Sequence, residues 1–469
     1  MHPKHFFALG ALFLSACAIP DTPMWNDREA AASVRMPAEL ITKVGVLGTA
    51  KSLVSNPVSG THKGVSMWWR RTHLLSDSIL EQRPLLATAY EDGTDIEHAL
   101  DLLDLPRPLP GKIDYLIDGD EFFPAIEKSI AGAQKRVDTQ VFIFDNDDVA
   151  TRYADLLRAR SKDVKCRVLM DRMGSITSWW TPPGTKMPQG FVAPASMPHY
   201  LRDGSKVKVR ESQNPWLVAD HAKLMLIDGK EAYLGGMNIG REYRYEWHDM
   251  MVRLTGPITT KLQNNFDSAW RLQGFWGDWS VPFHKPRRVL KTSDDPSHYP
   301  IRILRTTPSR TEIEEALLVA IRMSRKRIYL QNSYVTSKDL LLELMAACKR
   351  GVEVHFIFPI ENDSALMDSA TEKFAADLLE AGGKVYAYPR FTHLKAILVD
   401  DWACLGSANL DGLSMRINNE LNIAFSDPQA VETLRRRVFL KDIRQSRRLR
   451  YGEVQDRLNL IQESLLQQL

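Results

Sequence analysis

At 469 residues the chain exceeds what one hydrophobic core organises, so two or three domains are expected. With 44% apolar and 25% charged residues the composition is that of a soluble globular protein. The net charge of +3 is concentrated at the end: nine basic and five acidic residues follow from Ala430 onward, leaving the rest slightly acidic. That balance argues against a broadly basic nucleic-acid channel and leaves room only for a local groove.

Residues 1–16 read as a signal and not as part of the fold. Lys4 gives a positive start, and the apolar run Phe6–Ala16 is too short to span a bilayer comfortably. Leu14-Ser15-Ala16-Cys17 looks like a bacterial lipoprotein signal, which implies a diacylated Cys17 at the mature N-terminus. Ala18 in the next position implies sorting to the outer membrane, facing the periplasm. Two acyl chains give stable anchoring, and no other apolar stretch approaches transmembrane length. Of the other cysteines, Cys166 and Cys404 lie in strand-like runs and Cys348 in a helix pattern. They suggest no disulfide framework and no zinc signature, so they read as small core residues, and neither a metal nor a cofactor is implied.

Residues 17–110 carry Pro, Ser and Gly breaks and an exposed-looking Trp68-Trp69-Arg70-Arg71, with no fold to assign. From 111 an orderly α/β alternation begins. A helix with Phe122, Ile126, Ile130 and Ala133 on one face leads into the strand Val137–Phe144, and a helix over Ala150–Ala159 leads into Lys165–Met170. The Pro/Gly-rich stretch from Gly174 to Tyr200 is long for a compact domain, and Trp179-Trp180 within it could face a membrane interface or pack on their own domain. The first domain closes near 285, at a proline- and charge-rich junction.

Residues 299–427 replay the order. Helix Ile313–Met323 leads to strand Arg327–Leu330, helix Lys338–Cys348 to strand Val352–Phe358, and helix Ala370–Ala381 to Lys384–Tyr388. Repeated order predicts two similar α/β domains, each a sheet flanked by helices, and not one large sheet. Residues 428–469 are expected as a basic amphipathic helix, with Arg435-Arg436-Arg437 either a solvated face or attracted to anionic lipid.

The chemistry sits in a duplicated constellation. His221-Ala-Lys223 followed by Asp228 recurs as His393-Leu-Lys395 followed by Asp400. Downstream lie Gly235-Gly236-Met237-Asn238 and Gly406-Ser407-Ala408-Asn409. Eleven residues past each asparagine stands an acid, Asp249 or Glu420. Side chains alternate along a strand, so each histidine shares a face with its lysine. A phosphodiester needs cations and donors for its oxygens, a nucleophile, and an acid for the leaving oxygen. Lys223, Lys395, Asn238 and Asn409 suit the first task and the two histidines the others, with Asp249 and Glu420 as carboxylates that fix imidazole tautomers. Asp228 and Asp400 complete the candidate catalytic set, although their odd offset from the histidines points to holding strand ends.

These residues resemble the phospholipase D superfamily, in which two such motifs meet at one active site in a pseudo-twofold arrangement. Gly235–Tyr243, Trp247–Asp249, Leu254–Pro257, Phe266–Trp270 and Gly406–Asp411 are similar in particular to bacterial cardiolipin synthases. The resemblance implies metal-free transfer or hydrolysis of a phosphatidyl group through a phosphohistidine, with His221 as nucleophile and His393 as general acid, then base. It implies a phospholipid substrate. A nuclease of the same superfamily is the alternative, since the motif reads only a phosphodiester, and a non-catalytic envelope binding protein is more distant. The sequence departs from that family in three places. The lipoprotein-type signal stands where paired membrane spans are usual, Asn332-Ser333-Tyr334-Val335 replaces a Pro-Tyr-Phe stretch, and Gly412 replaces an arginine.

Overall fold

The computed structural model describes residues 46–73, 95–179, 183–283, 285–360 and 365–454. Cys17, Trp180 and the apolar tail from Leu458 to Leu466 lie outside them. In the first half the strands are β1 (Leu109–Ile117), β2 (Arg136–Val141), β3 (Lys165–Met170), β4 (Lys208–Glu211), β5 (Leu224–Ile227), β6 (Glu231–Gly235) and β7 (Met250–Thr255). The second half has β8 (Tyr299–Thr307), β9 (Arg310–Thr311), β10 (Arg327–Gln331), β11 (Glu353–Pro359), β12 (Lys384–Tyr388), β13 (Ala396–Val399), β14 (Trp402–Gly406), β15 (Glu420–Phe425) and β16 (Arg447–Arg448).

Hydrogen-bonded order is β1-β7-β6-β5-β2-β3-β4 in the first half and β8-β15-β14-β13-β10-β11-β12-β16 in the second, with β9 beside β8. The halves are therefore copies. In each, three neighbouring strands run parallel and need crossover helices. Asp148–Arg160 and Lys338–Lys349 serve, started by Asp147 accepting from the Ala150 N–H at 2.7 Å and Ser337 accepting from that of Leu340 at 3.4 Å. The motif strands β5 and β13 are buried at every position, as unbroken apolar runs require in a sheet covered on both faces.

The expected pair of α/β units is present, but the expectation of separate sheets is corrected. Antiparallel pairing of β1 with β8, from Leu109↔Ile301 to Gly111↔Tyr299, fuses the halves into one 16-stranded sheet. Three residue pairs around Pro110 and Pro300 carry the join, too few for any periodic signal. The sheet folds back on itself. One core lies between the inner faces, where Leu224, Leu226 and Val252 of the first half join Leu398, Leu405 and Ile423 of the second. Two further cores lie under the outer helices of each half.

The N-terminal region supplies helices Leu47–Ser55, Pro57–His73 and Ile96–Leu102. Buried Arg302 pairs with Glu97 at 2.6 Å and Asp101 at 2.9 Å, tying the last of these to the second half. Helix Pro57–His73 lies against the segment preceding His221, where the Trp216 indole N–H donates to the Gly60 carbonyl at 3.1 Å. A Cβ at Gly64 would stand 2.8 Å from that ring, so the close approach needs glycine.

One further expectation changes, and one of two alternatives is met. Residues 428–445 are helical, but Ala430, Val431, Leu434 and Phe439 are buried in the central core. Arg435 and Arg436 pair with Glu432, and Arg437 with Glu121, before the chain turns into β16 against β12. The described part of this segment belongs to the fold, with Arg435, Arg436 and Arg437 matched locally. Trp179 likewise packs against the outer core of the first half, and its indole N–H donates to the Phe144 carbonyl at 2.9 Å.

Candidate active site

Four backbone hydrogen bonds stitch the halves together where the motifs begin. His221 N–H donates to Asn419 C=O at 2.9 Å, and Asn419 N–H to Ala219 C=O at 2.8 Å. His393 N–H donates to His248 C=O at 2.8 Å, and His248 N–H to Phe391 C=O at 2.9 Å. Each motif histidine thus lies beside the residue that precedes the other half's acid.

The consequence is a crossed pairing. His221 Nδ1 lies 3.0 Å from Glu420 Oε2, and His393 Nδ1 lies 2.7 Å from Asp249 Oδ2. Every one of these four groups is buried. The acids are themselves positioned. Glu420 accepts from Ser407 Oγ at 2.5 Å, and Asp249 accepts from the Met250 N–H at 2.7 Å. The position matching Ser407 is Gly236, where a Cβ would stand 2.3 Å from Asp249 Oδ1, so that copy needs glycine. A carboxylate on Nδ1 leaves each Nε2 free to face a substrate.

Burial, then neighbouring Lys223, holds the His221 ring below the ordinary histidine pKa against the pull of Glu420. Burial with Lys395 and Lys223 holds His393 well below it. Burial lifts the Asp249 carboxyl to about 7. Both shifts favour the neutral imidazole, whose Nε2 carries a lone pair. Lys223 and Lys395 donate to the carbonyls of His221 at 2.7 Å and His393 at 2.5 Å. Burial, with Lys395 alongside, brings Lys223 down to about 7. An arriving phosphate anion would restore charge to this cluster.

The asparagines differ between copies. Asn238 accepts from the Ile143 N–H at 2.9 Å and donates to the Tyr243 hydroxyl at 2.8 Å. The Asn409 side-chain oxygen is buried with no partner among the described residues. Asp228 and Asp400 stand apart from the histidines and leave the catalytic set. At φ 55° and 52°, each ends a strand and accepts three backbone N–H bonds, from 134–136 and 325–327 respectively, at 2.7–2.9 Å.

Several supports were not singled out from sequence. Gln140 donates to Asp220 at 2.9 Å, and its counterpart Gln331 to Thr392 at 2.9 Å, bracing the residues that precede the histidines. Rings of Tyr243, Trp247, Tyr334 and Phe391 surround His393 at 5.3–6.5 Å, and Phe142 lies 4.8 Å from His221. His248 donates from both ring nitrogens, to Asp118 at 2.6 Å and Asp442 at 2.7 Å. The copy symmetry could have flagged the glutamines; His248 has no counterpart to betray it. Asp145, Asp147 and Glu242 bring ligand atoms within 4.8 Å of one another, but Asp147 is already occupied in capping Ala150 and Arg241.

The family described as "Cardiolipin synthase, PLD-like domain" matches residues 126–270 and 317–441. Cardiolipin synthase A of Pseudomonas syringae pv. syringae (strain B728a) is 28% identical over 344 residues, covering 69% of this chain and 67% of that protein. Cardiolipin synthase of Listeria monocytogenes serotype 4a (strain HCC23) is 29% identical over 353 residues, covering 72% and 70%. Among solved structures, phosphatidylserine synthase of Haemophilus influenzae Rd KW20 superposes with a TM-score of 0.59 at 15% identity, covering 79% of this chain and 96% of that one. That likeness establishes the shared fold.

Proposed function

Because the chain belongs to the cardiolipin synthase, PLD-like family and is an enzyme of the phospholipase D superfamily, we propose that it moves a phosphatidyl group by way of a phosphohistidine. The observation that carries this is the crossed pairing of His221 with Glu420 and His393 with Asp249. His221 Nε2 attacks the phosphorus of a phospholipid diester, forming an N–P bond as the P–O bond to the headgroup alcohol breaks. His393, protonated once phosphate charge enters the site, gives its proton to the departing oxygen. In the second step His393 takes a proton from the incoming alcohol or water, whose oxygen displaces His221 and restores the free imidazole. Lys223, Lys395 and the Asn409 carboxamide hold the non-bridging oxygens.

Incubation with phosphatidylglycerol vesicles tests this. Cardiolipin with released glycerol indicates transfer, and phosphatidic acid indicates hydrolysis. DNA cleavage with untouched lipid overturns the reading. His221→Ala and His393→Ala should each lower turnover by about a thousandfold or more. Near-normal rates in either variant would exclude the shared mechanism. We further propose that the protein is membrane-associated through an acylated Cys17, on the periplasmic side of the bacterial envelope. Mass spectrometry of the mature N-terminus should find the acyl chains, and an intact Met1 would refute the anchor. No helix among the described residues is long and apolar enough to cross a membrane.

A further inference from the structure

Away from the histidines, the outer edge of the first half carries a recess of strongly one-sided charge. Two adjoining cavities of about 330 and 430 Å³ open beside β3, β4 and the end of helix Ile258–Leu272. Their lining holds Lys165, Lys208, Arg210 and Arg271, none of which has a carboxylate ion-pair partner among the described residues. Arg167 and Arg287 also line the recess but are matched by Asp138 and Asp267. The Arg210 guanidinium lies over the Trp270 ring at 4.5 Å, which orients it. Burial and repulsion from Arg167 lower the Arg210 pKa. None of the catalytic residues lines this recess, and β4 lies three strands from β5, about 14 Å across the sheet.

The recess is rimmed by an apolar projection. Phe275, Trp276, Trp279 and Phe283 are 85%, 67%, 63% and 89% exposed, and only the first two touch the recess. The projection is held in place: Asp278 accepts from the N–H groups of Val58 and Ser59 and from Ser59 Oγ at 2.7–3.0 Å. Val54 and Val58 continue the exposed apolar surface on the helices so joined. Isolated exposed apolar residues are ordinary, but a fixed cluster of aromatics beside unmatched cations is not. Aromatic rings at the headgroup level with lysine and arginine nearby are the chemistry of an interfacial, anionic membrane contact. A nucleic-acid strand would instead call for stacking rings along the basic track, whereas Trp279 and Phe283 stand outside it.

We propose that this recess and projection form a docking site for an anionic phospholipid surface: the recess takes a headgroup phosphate of a lipid that is not being turned over, and Phe275–Phe283 enter the interface. Hydrogen–deuterium exchange of the full chain reads this locally, whatever anchors the N-terminus. Vesicles of phosphatidylglycerol in phosphatidylcholine should slow exchange across 272–283 and 206–211. Phosphatidylcholine vesicles alone and inorganic phosphate should not. Lys165→Gln/Lys208→Gln should lose that protection and weaken vesicle binding by roughly tenfold, and Phe275→Ser/Phe283→Ser should lose it as well. His221→Ala should keep it, so failure of the docking site and failure of the catalytic reading are separately visible. Unchanged exchange in vesicle-bound protein, equal protection by neutral vesicles, or protection by a DNA oligonucleotide alone would overturn the proposal.

Discussion

A neutral imidazole next to two lysines is cheap to bury and reactive once exposed to a phosphate, and the electrostatics around His221 turn on that fact. Its pKa is held below the ordinary 6.5 by burial and by Lys223. On the proposed mechanism the acid limb of kcat/KM should therefore lie below pH 6.5, because protonating His221 abolishes attack. A limb centred above 6.5 would mean another group controls it. Glu420→Gln and Asp249→Asn keep size but remove the acceptor that fixes each tautomer. Each should cost on the order of a thousandfold in kcat, with little change in the denaturation midpoint. Histidines, lysines, asparagines and acids were all legible because the chain states them twice at equal spacing. Which acid serves which histidine was not legible. The exchange is made by backbone pairing between 219–221 and 419, and between 391–393 and 248, and sequence spacing within one copy carries no trace of it.

At the scale of elements, the helices and strands that periodicity named lie within a few residues of those observed, because each buries an apolar face at a regular interval. The odd offset of Asp228 and Asp400 also pointed to strand ends, and there each acts as a staple to the turn that starts a neighbouring strand. Asp228→Ala should destabilise the fold by about 1–3 kcal/mol, seen in urea unfolding, while activity per folded molecule is retained; loss of activity in fully folded protein would return Asp228 to the catalytic set. The bridge Asp118–His248–Asp442 joins the first half to the C-terminal helices. Burial alone would depress His248, but bonds to both carboxylates raise it to about 9. A raised pKa means the stabilisation is complete below the unfolded value near 6.5 and disappears as pH rises through 9. The gap between the two pKa values corresponds to about 3 kcal/mol. Urea midpoints of the wild type should fall between pH 6.5 and 9 by more than those of His248→Gln, and parallel curves would rule the bridge out as the cause.

Across the whole molecule, the duplicated order of strands was visible in the sequence and the fusion through β1 and β8 was not. The N-terminal helices were equally hidden, because they are organised by contacts with residues 214–218, 277–278 and Arg302, not by a period of their own. A shared central core and a shared sheet predict that the halves cannot unfold independently. Calorimetry of 46–454 should give one transition in which calorimetric and van't Hoff enthalpies agree, and two resolved transitions would show that the halves keep separate stabilities.

The crossed acids also impose an order in time. During synthesis the first half emerges with His221 already made, but Glu420 lies 199 residues further on. Because the halves share one core and one sheet, the first half cannot complete its fold as it leaves the ribosome, and His221 waits for the second half. Until Glu420 is translated His221 lacks the carboxylate that sets its tautomer, whereas His393 emerges with Asp249 already made. On the proposed mechanism a truncated or stalled chain therefore carries His221 without the carboxylate that would orient it for attack, and a cell is spared a half-built catalyst loose among its own phosphodiesters.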